Sequence, residues 1–265
     1  MPEVPRQQQP QPAVPGGGPV HRGLAHLADR LRPRSLAAVT LLVGLAACAL
    51  FTAGAGAVYD QVTEGDGLAG LDRPVLAEMV RDRTPGVTSA VRAYTDVGGP
   101  VGMPVLATVV LALVAWRRRS VEPLLLGVAT AAGSLLMTLV GKAQVERLRP
   151  PTIDAVPPFE TSFSFPSGHS LNSMALAAIT AYVLVRGQHR TGTRVVTVVL
   201  AGVFAVTMGL SRVYLGHHWL TDVLVAWALA LAWVAVVVTA HRWYLTTAFA
   251  GRRRERHDRL RRSTT

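Results

Sequence analysis

The stretch from Ser35 to Tyr59, SLAAVTLLVGLAACALFTAGAGAVY, carries no charged residue over 25 positions. About 20 apolar residues in a helix, rising 1.5 Å each, are enough to cross the hydrocarbon core of a bilayer. The pattern repeats along the chain. Val97 to Trp116 is uncharged over 20 residues and Pro123 to Gly141 over 19, and Ser167 to Val185 is uncharged apart from His169. Val195 to Ser211 and Val223 to Ala240 add runs of 17 and 18. Short charged segments separate the runs. Of the 265 residues, 50% are hydrophobic and 16% charged, against about 25% charged in ordinary soluble domains. That balance excludes a soluble globular enzyme and a disordered chain alike. The expected fold is all-α, a bundle of six transmembrane helices over residues 35–241.

Six spans place both termini on one side, and Lys/Arg bias chooses the side. With cytoplasmic termini, the inside segments hold 19 Lys+Arg and 5 Asp+Glu, and the outside segments hold 8 and 11. The expectation is therefore a multi-pass protein of the cell membrane with both ends cytoplasmic. The first apolar run ends in Ala55-Gly56-Ala57, but it is too long for a typical secretory signal and is expected to remain as a span. Residues 1–34 are basic and open on a Pro-, Gln- and Gly-rich stretch that reads as disordered. Residues 242–265 form a basic tail with Arg252, Arg253, Arg254 and Arg256 at its centre. Beside a membrane this suits a topology signal or an anchor to anionic lipid better than nucleic-acid binding. Cys48 is the only cysteine, so an intrachain disulfide and a cysteine zinc cluster are both excluded. It reads as a small apolar residue of the first span.

In the segment 60–96, Leu71, Val75, Leu76, Met79 and Val80 recur at helical spacing among charged residues. An amphipathic surface helix over Leu71–Arg83 is expected between spans one and two, lying on the membrane or packed on the bundle.

Three polar clusters fall on the outer side of this topology, and ionisable groups at membrane depth are usually functional. The first is Lys142-Ala-Gln-Val-Glu-Arg-Leu-Arg149-Pro150. If the helix continues, Lys142 and Arg149 share one face about 10 Å apart, as a pair for a multi-oxygen anion such as phosphate or as interfacial anchors. Arg147 lies off that face and reads as an interfacial anchor. Pro150 and Pro151 are expected to stop the helix. The second is Phe165-Pro166-Ser167-Gly168-His169-Ser170, opening the fourth run. Ser167 suits an N-cap, Gly168 permits close backbone approach, the free N–H groups suit an anion, and His169 can carry a proton. An ordinary cap with an incidental histidine is the competing reading. The third is Ser211-Arg212-Val-Tyr-Leu-Gly216-His217-His218-Trp219-Leu-Thr-Asp222. His218 and Asp222 stand at i and i+4, where a carboxylate fixes the imidazole tautomer and leaves the other nitrogen as a nucleophile. Arg212 adds a cation. His217 is a poorer fit to Asp222 and is expected to play a supporting role. A histidine pair without more carboxylates or cysteines is a weak metal site, and no metal is expected.

The arrangement Lys-x6-Arg-Pro, Pro-Ser-Gly-His and Ser-Arg-x5-His-x3-Asp resembles the three signatures of the type 2 phosphatidic acid phosphatase superfamily, at eleven positions within 142–222. Its members include lipid phosphate, phosphatidylglycerophosphate and undecaprenyl-diphosphate phosphatases. The resemblance implies an integral membrane phosphatase acting on a lipid phosphate or prenyl diphosphate, with no cofactor and no nucleic acid. It implies that His218 becomes phosphohistidine, Asp222 orients it and His169 protonates the leaving group. Lys142, Arg149 and Arg212, with Ser167 and the Gly168 amide, would hold the phosphate. The site would face the extracytoplasmic side. A catalytically silent lipid-phosphate-binding protein or a transporter is the alternative, although clustering at one face and not at the midplane disfavours transport.

Overall fold

The computed structural model describes residues 33–262, with side chains described over 37–247. The expected disorder of the N-terminal segment falls on residues 1–32, outside the described residues. All regular structure among the described residues is helical: α1 (Pro33–Glu64), α2 (Asp72–Arg81), α3 (Pro85–Val97), α4 (Gly102–Arg118), α5 (Glu122–Val145), α6 (Gly168–Val185), α7 (Thr191–Tyr214) and α8 (Leu220–Arg262), with short 3-10 turns at Gly67–Leu71 and Thr152–Asp154. Contacts divide the chain into two units, residues 40–244 and the two chain ends. All packing described below lies within 40–244. In the other unit, residues 33–39 and 245–262 are helical.

Helices α1, α5, α6, α7 and α8 are each long and apolar enough to cross a membrane, and α3 with α4, bent by 54° at the break between them, reaches that length and apolarity only as a pair, which makes five spans, or six if the pair is one broken span. The chain is therefore a multi-pass membrane protein, as its apolar runs predict. The second span differs from expectation in its start. Val97 ends α3 and the straight helix begins only at Gly102. Pro100 lacks an N–H, and the adjacent glycines tolerate the turn. A Cβ on Gly98 would press on the Met208 side chain, and one on Gly102 would collide with the carbonyls of Asp96 and Val97, so the bend needs glycine at 102.

The α6 helix is the most enclosed span. Its Leu171, Ala175, Leu176, Ile179 and Val183 are buried, and it packs on α5, α7 and α4. Leu176, Ile179 and Val183 join Met103, Ala107 and Leu111 of α4, Leu126 of α5, Ala205 of α7 and Val237 of α8 in one core. Small residues admit the close crossings. Gly133 lies under Trp233, and Gly209 under Trp227 and Val223. Leu42, Val43, Leu135, Leu136, Leu139, Val199 and Leu200 stay exposed on the outer faces, where lipid rather than water is the natural solvent.

The helix expected over 71–83 is present as α2, and a second, α3, follows it. Thr84 caps the second, accepting from the Val87 N–H at 3.4 Å, with Pro85 in its first turn. The first, α2, buries Asp72 and Leu76 and packs on α7, so it is docked on the bundle end. Arg83, just past α2, donates from Nε to the Tyr214 carbonyl at 2.9 Å and from Nη1 to the Asp154 carbonyl at 2.7 Å. That grip fixes the turn between α7 and α8. Gly216 in this turn has φ of 71°, and a Cβ there would strike the Asp154 carbonyl. Gly216→Ala combines left-handed strain with a backbone collision. It is expected to destabilise the protein by about 2 kcal/mol, read as a lower melting temperature in detergent.

Candidate active site

The α5 helix ends earlier than its prolines require. Glu146 adopts a left-handed φ of 47° and its N–H closes on the Lys142 carbonyl at 3.3 Å. Lys142 and Arg149 therefore do not share a helical face, which corrects the sequence expectation. The backbone past Glu146 is drawn off by partners outside the helix. The Arg147 carbonyl accepts from Ser164 N–H at 2.8 Å, and the Leu148 carbonyl from Trp219 Nε1 at 2.9 Å. Arg149, next to Pro150, is also disfavoured in helix. The two cations converge nonetheless. Lys142 Nζ donates to Ser162 Oγ at 3.2 Å and to the Phe163 carbonyl, and Arg149 Nη2 reaches the same two oxygens at 3.1 and 3.3 Å.

Arg212, at the end of α7, completes the trio. Its Nη2 donates to Glu160 Oε1, while Arg149 Nη2 donates to Glu160 Oε2 at 2.7 Å. One carboxylate thus occupies the focus of two guanidinium groups. Burial alone would raise the Glu160 carboxyl, but Arg212 and Arg149 outweigh it and hold it down to about 2. The Arg212 side chain is 2% exposed, and a charge so enclosed needs such a partner.

His218 sits in the α7–α8 turn, fully enclosed. Arg149 Nη1 donates to its Nε2 at 3.1 Å. A guanidinium has no lone pair to offer, so Nε2 must be the unprotonated nitrogen and Nδ1 carries the hydrogen. On the Nδ1 side stand Ser164 Oγ at 3.3 Å and Asp222 Oδ2 at 3.5 Å, and Ser164 Oγ donates to that same Oδ2. The i, i+4 pairing of His218 with Asp222 is present, and the serine hydroxyl is inserted beside it. Burial pushes the His218 imidazole down to about 4 against the pull of Asp222, and Arg149 adds to the lowering. The ring is thus neutral, with its Nε2 lone pair facing the cations.

Ser167 caps α6 as expected, accepting from the Ser170 N–H at 3.4 Å. Its hydroxyl lies 2.8 Å from Ser170 Oγ, turned into the protein. Gly168 and His169 line a cavity of about 350 Å³ with Lys142, Glu160, Ser162 and His218 at its polar end, and Pro104, Ala131 and Leu135 at its apolar end. His217 is fixed by its backbone neighbour, Nε2 lying 2.7 Å from the Val156 carbonyl, which matches its supporting role.

Four residues of the site escaped the sequence reading. Glu160 and Ser164 lie in an irregular loop without periodic signal. Arg147, expected at the interface, instead bridges Asp72 at 2.7 Å and Asp222 at 2.6 Å. Asp72, read only as part of the polar face of the amphipathic helix, is buried. Only the misfit of Arg147 to the phosphate face hinted at another use.

A family model described as the PAP2 superfamily matches residues 122–245. The curated phosphatidylglycerophosphatase B of Bacillus subtilis (strain 168) is 33% identical over 165 residues, covering 60% of this chain and 78% of that protein. The crystal structure of a transmembrane PAP2-type phosphatidylglycerolphosphate phosphatase from Bacillus subtilis superposes with a TM-score of 0.61 at 28% identity, covering 79% of this chain and 96% of that one. Helical spans, with Lys142, His169 and His218 at one cavity and Arg149 and Arg212 paired to its Glu160, agree with that match, and the chain belongs to the PAP2 superfamily.

Proposed function

We propose that this membrane lipid phosphatase removes phosphate from a phosphatidylglycerophosphate-type lipid or a related lipid phosphate or prenyl diphosphate, on the extracytoplasmic side, through a phosphohistidine at His218. The observation that carries the reading is the convergence of Arg149 and Arg212 on one carboxylate beside the unprotonated Nε2 of His218. An anion held there by cations stands where a phosphoryl group would sit. The names of the Bacillus subtilis relatives support the phosphatidylglycerophosphate class. The Lys/Arg bias supports the sidedness.

The chemistry follows from charge. In transfer, a phosphoryl group spreads negative charge over its equatorial oxygens. Arg149, Arg212 and Lys142 exchange Glu160, Ser162 and the Phe163 carbonyl for those oxygens, assisted by the Gly168 amide at the start of α6, with Ser167 capping that helix start. His218 Nε2 attacks phosphorus in line, forming the P–N bond as the P–O bond to the lipid breaks. His169 gives its proton to the departing oxygen. Asp222, with Ser164, holds Nδ1–H and stabilises the ring as it becomes cationic. Water then attacks phosphorus, passing a proton to His169, the P–N bond breaks, and inorganic phosphate and neutral His218 are restored. Three cations do the electrostatic work usually given to a metal ion.

His218→Ala is expected to abolish phosphate release from phosphatidylglycerophosphate, by at least about a thousandfold. Release by that variant within about tenfold of the wild-type rate would sink the covalent route, and no release by the wild-type protein from any lipid phosphate would favour a silent binding protein. Excess EDTA is expected to leave the rate unchanged; full loss restored by magnesium overturns metal independence. Because His218 ionises near 4, Nε2 stays free as pH falls until it passes through that value. The His218 ring should therefore still be neutral at pH 5, read from its 15N-imidazole shifts, whereas an ordinary imidazole at 6.5 would be largely protonated. With a prenyl diphosphate the leaving phosphate needs little protonation. His169→Ala should then cost less than His218→Ala, and equal losses would exclude a diphosphate preference.

A further inference from the structure

Helix α2 does more than lie at the membrane boundary. Its first residue, Asp72, accepts from the Thr221 N–H at 2.9 Å and the Thr221 hydroxyl at 2.6 Å, and Arg83 beyond its last turn holds the Tyr214 carbonyl. The segment between Tyr214 and Thr221 carries His218, so α2 grips the nucleophile's turn at both ends. Between Asp72 and Asp222 lies the Arg147 guanidinium, 2.7 and 2.6 Å from the two carboxylates and 2.8 Å from the Thr221 hydroxyl. Side-chain exposures are 18% for Arg147, 4% for Asp72 and 0% for Asp222. The Trp219 ring centroid stands 5.7 Å from the guanidinium carbon.

We propose that Asp72 and Arg147 are positioning residues for the reaction, a strut from α2 that holds Asp222 and through it sets the orientation of His218. The inference rests on the phosphatase reading above. The two oxygens of Asp222 have separate duties. Oδ1 is occupied by Arg147, which leaves Oδ2 for Ser164, the Trp219 N–H at 2.9 Å and the His218 ring. Without Arg147, Asp222 can rotate, and two buried carboxylates face each other without a cation between them. The guanidinium fork can reach both acids at once, whereas a lysine ammonium is a single point. Neither Asp72 nor Arg147 lines the cavity, and their side chains bond Thr221 and Asp222, so their effect reaches His218 through those two residues.

The groups facing His218 are Asp222 and Ser164 at Nδ1, Arg149 at Nε2, and Arg212, Glu160, His169, His217 and Lys142 around the cavity. The test is titration of the full-length protein in detergent by 15N-imidazole NMR, with the His218 signal assigned by its loss in His218→Gln. Arg147→Met removes a cation and should raise the His218 pKa by about half a unit or more, while Asp72→Asn removes an anion and should lower it. In parallel, Arg147→Met should reduce kcat on phosphatidylglycerophosphate at least about tenfold with KM within about twofold, yet cost less than about twofold in an Asp222→Asn background. Shifts of one sign, absent shifts, or equal losses in both backgrounds overturn the strut. Should Arg147→Met lose its melting transition, Arg147→Lys and Asp72→Asn carry the same comparison. A wild-type protein that hydrolyses no lipid sinks the phosphatase reading, while the titration still decides the strut.

Discussion

Glu160, shared between Arg149 and Arg212, answers the main difficulty of building this site. Cations must be collected at a lipid boundary where each is costly alone, and each repels the others. A carboxylate with one oxygen for each arginine neutralises most of that repulsion while the cavity is empty of substrate. The same contact fixes the loop around 160–164, and that loop in turn supplies Ser162 and the Phe163 carbonyl to Lys142. A phosphate entering the site brings more oxygens and more charge than Glu160 does. The cations therefore need little rearrangement to change partners, which is the preorganisation that electrostatic catalysis demands.

A second constraint concerns the imidazole. A neutral histidine can carry its hydrogen on either nitrogen, and only one choice leaves a lone pair toward the cavity. Arg149 on one side, with Ser164 and Asp222 on the other, permit a single tautomer. Enclosure keeps the ring neutral. Next to Ser164 the chain turns apolar, with Phe165 against Tyr59 and in one cluster with Val225.

The spans were readable in the sequence because a bilayer demands long uncharged runs and allows few other solutions. The exception is instructive. An unbroken apolar run from Val97 concealed the bend at Gly98-Gly99-Pro100, since hydropathy is blind to backbone freedom. The pairing of Lys142 with Arg149 was foreseen for a geometric reason that does not hold, because the carbonyls of Arg147 and Leu148 are claimed by distant donors. His218 with Asp222 was foreseen from the i, i+4 spacing and the two do meet, although His218 sits in the turn before α8 and only Asp222 is helical. Glu160 and Ser164 were invisible. Their partners lie 52 and 54 positions away, Arg212 for one and His218 for the other, and irregular loops carry no periodicity. Arg147 and Asp72 were visible as charges but not as partners, since 75 residues separate them.

On the proposed mechanism, the cavity beside His218 sorts what leaves the reaction. At about 350 Å³ it is at the small end of ligand pockets, polar where Lys142 and Glu160 stand and apolar toward Ala131 and Leu135. It can admit a headgroup and the neck of a lipid, while the tails stay dissolved in the surrounding bilayer. Cleavage then divides the products between two phases. The dephosphorylated lipid has lost the charge that held it among the cations and drifts back sideways into the membrane. Inorganic phosphate has no apolar part, so on that mechanism it partitions into water and not with the lipid.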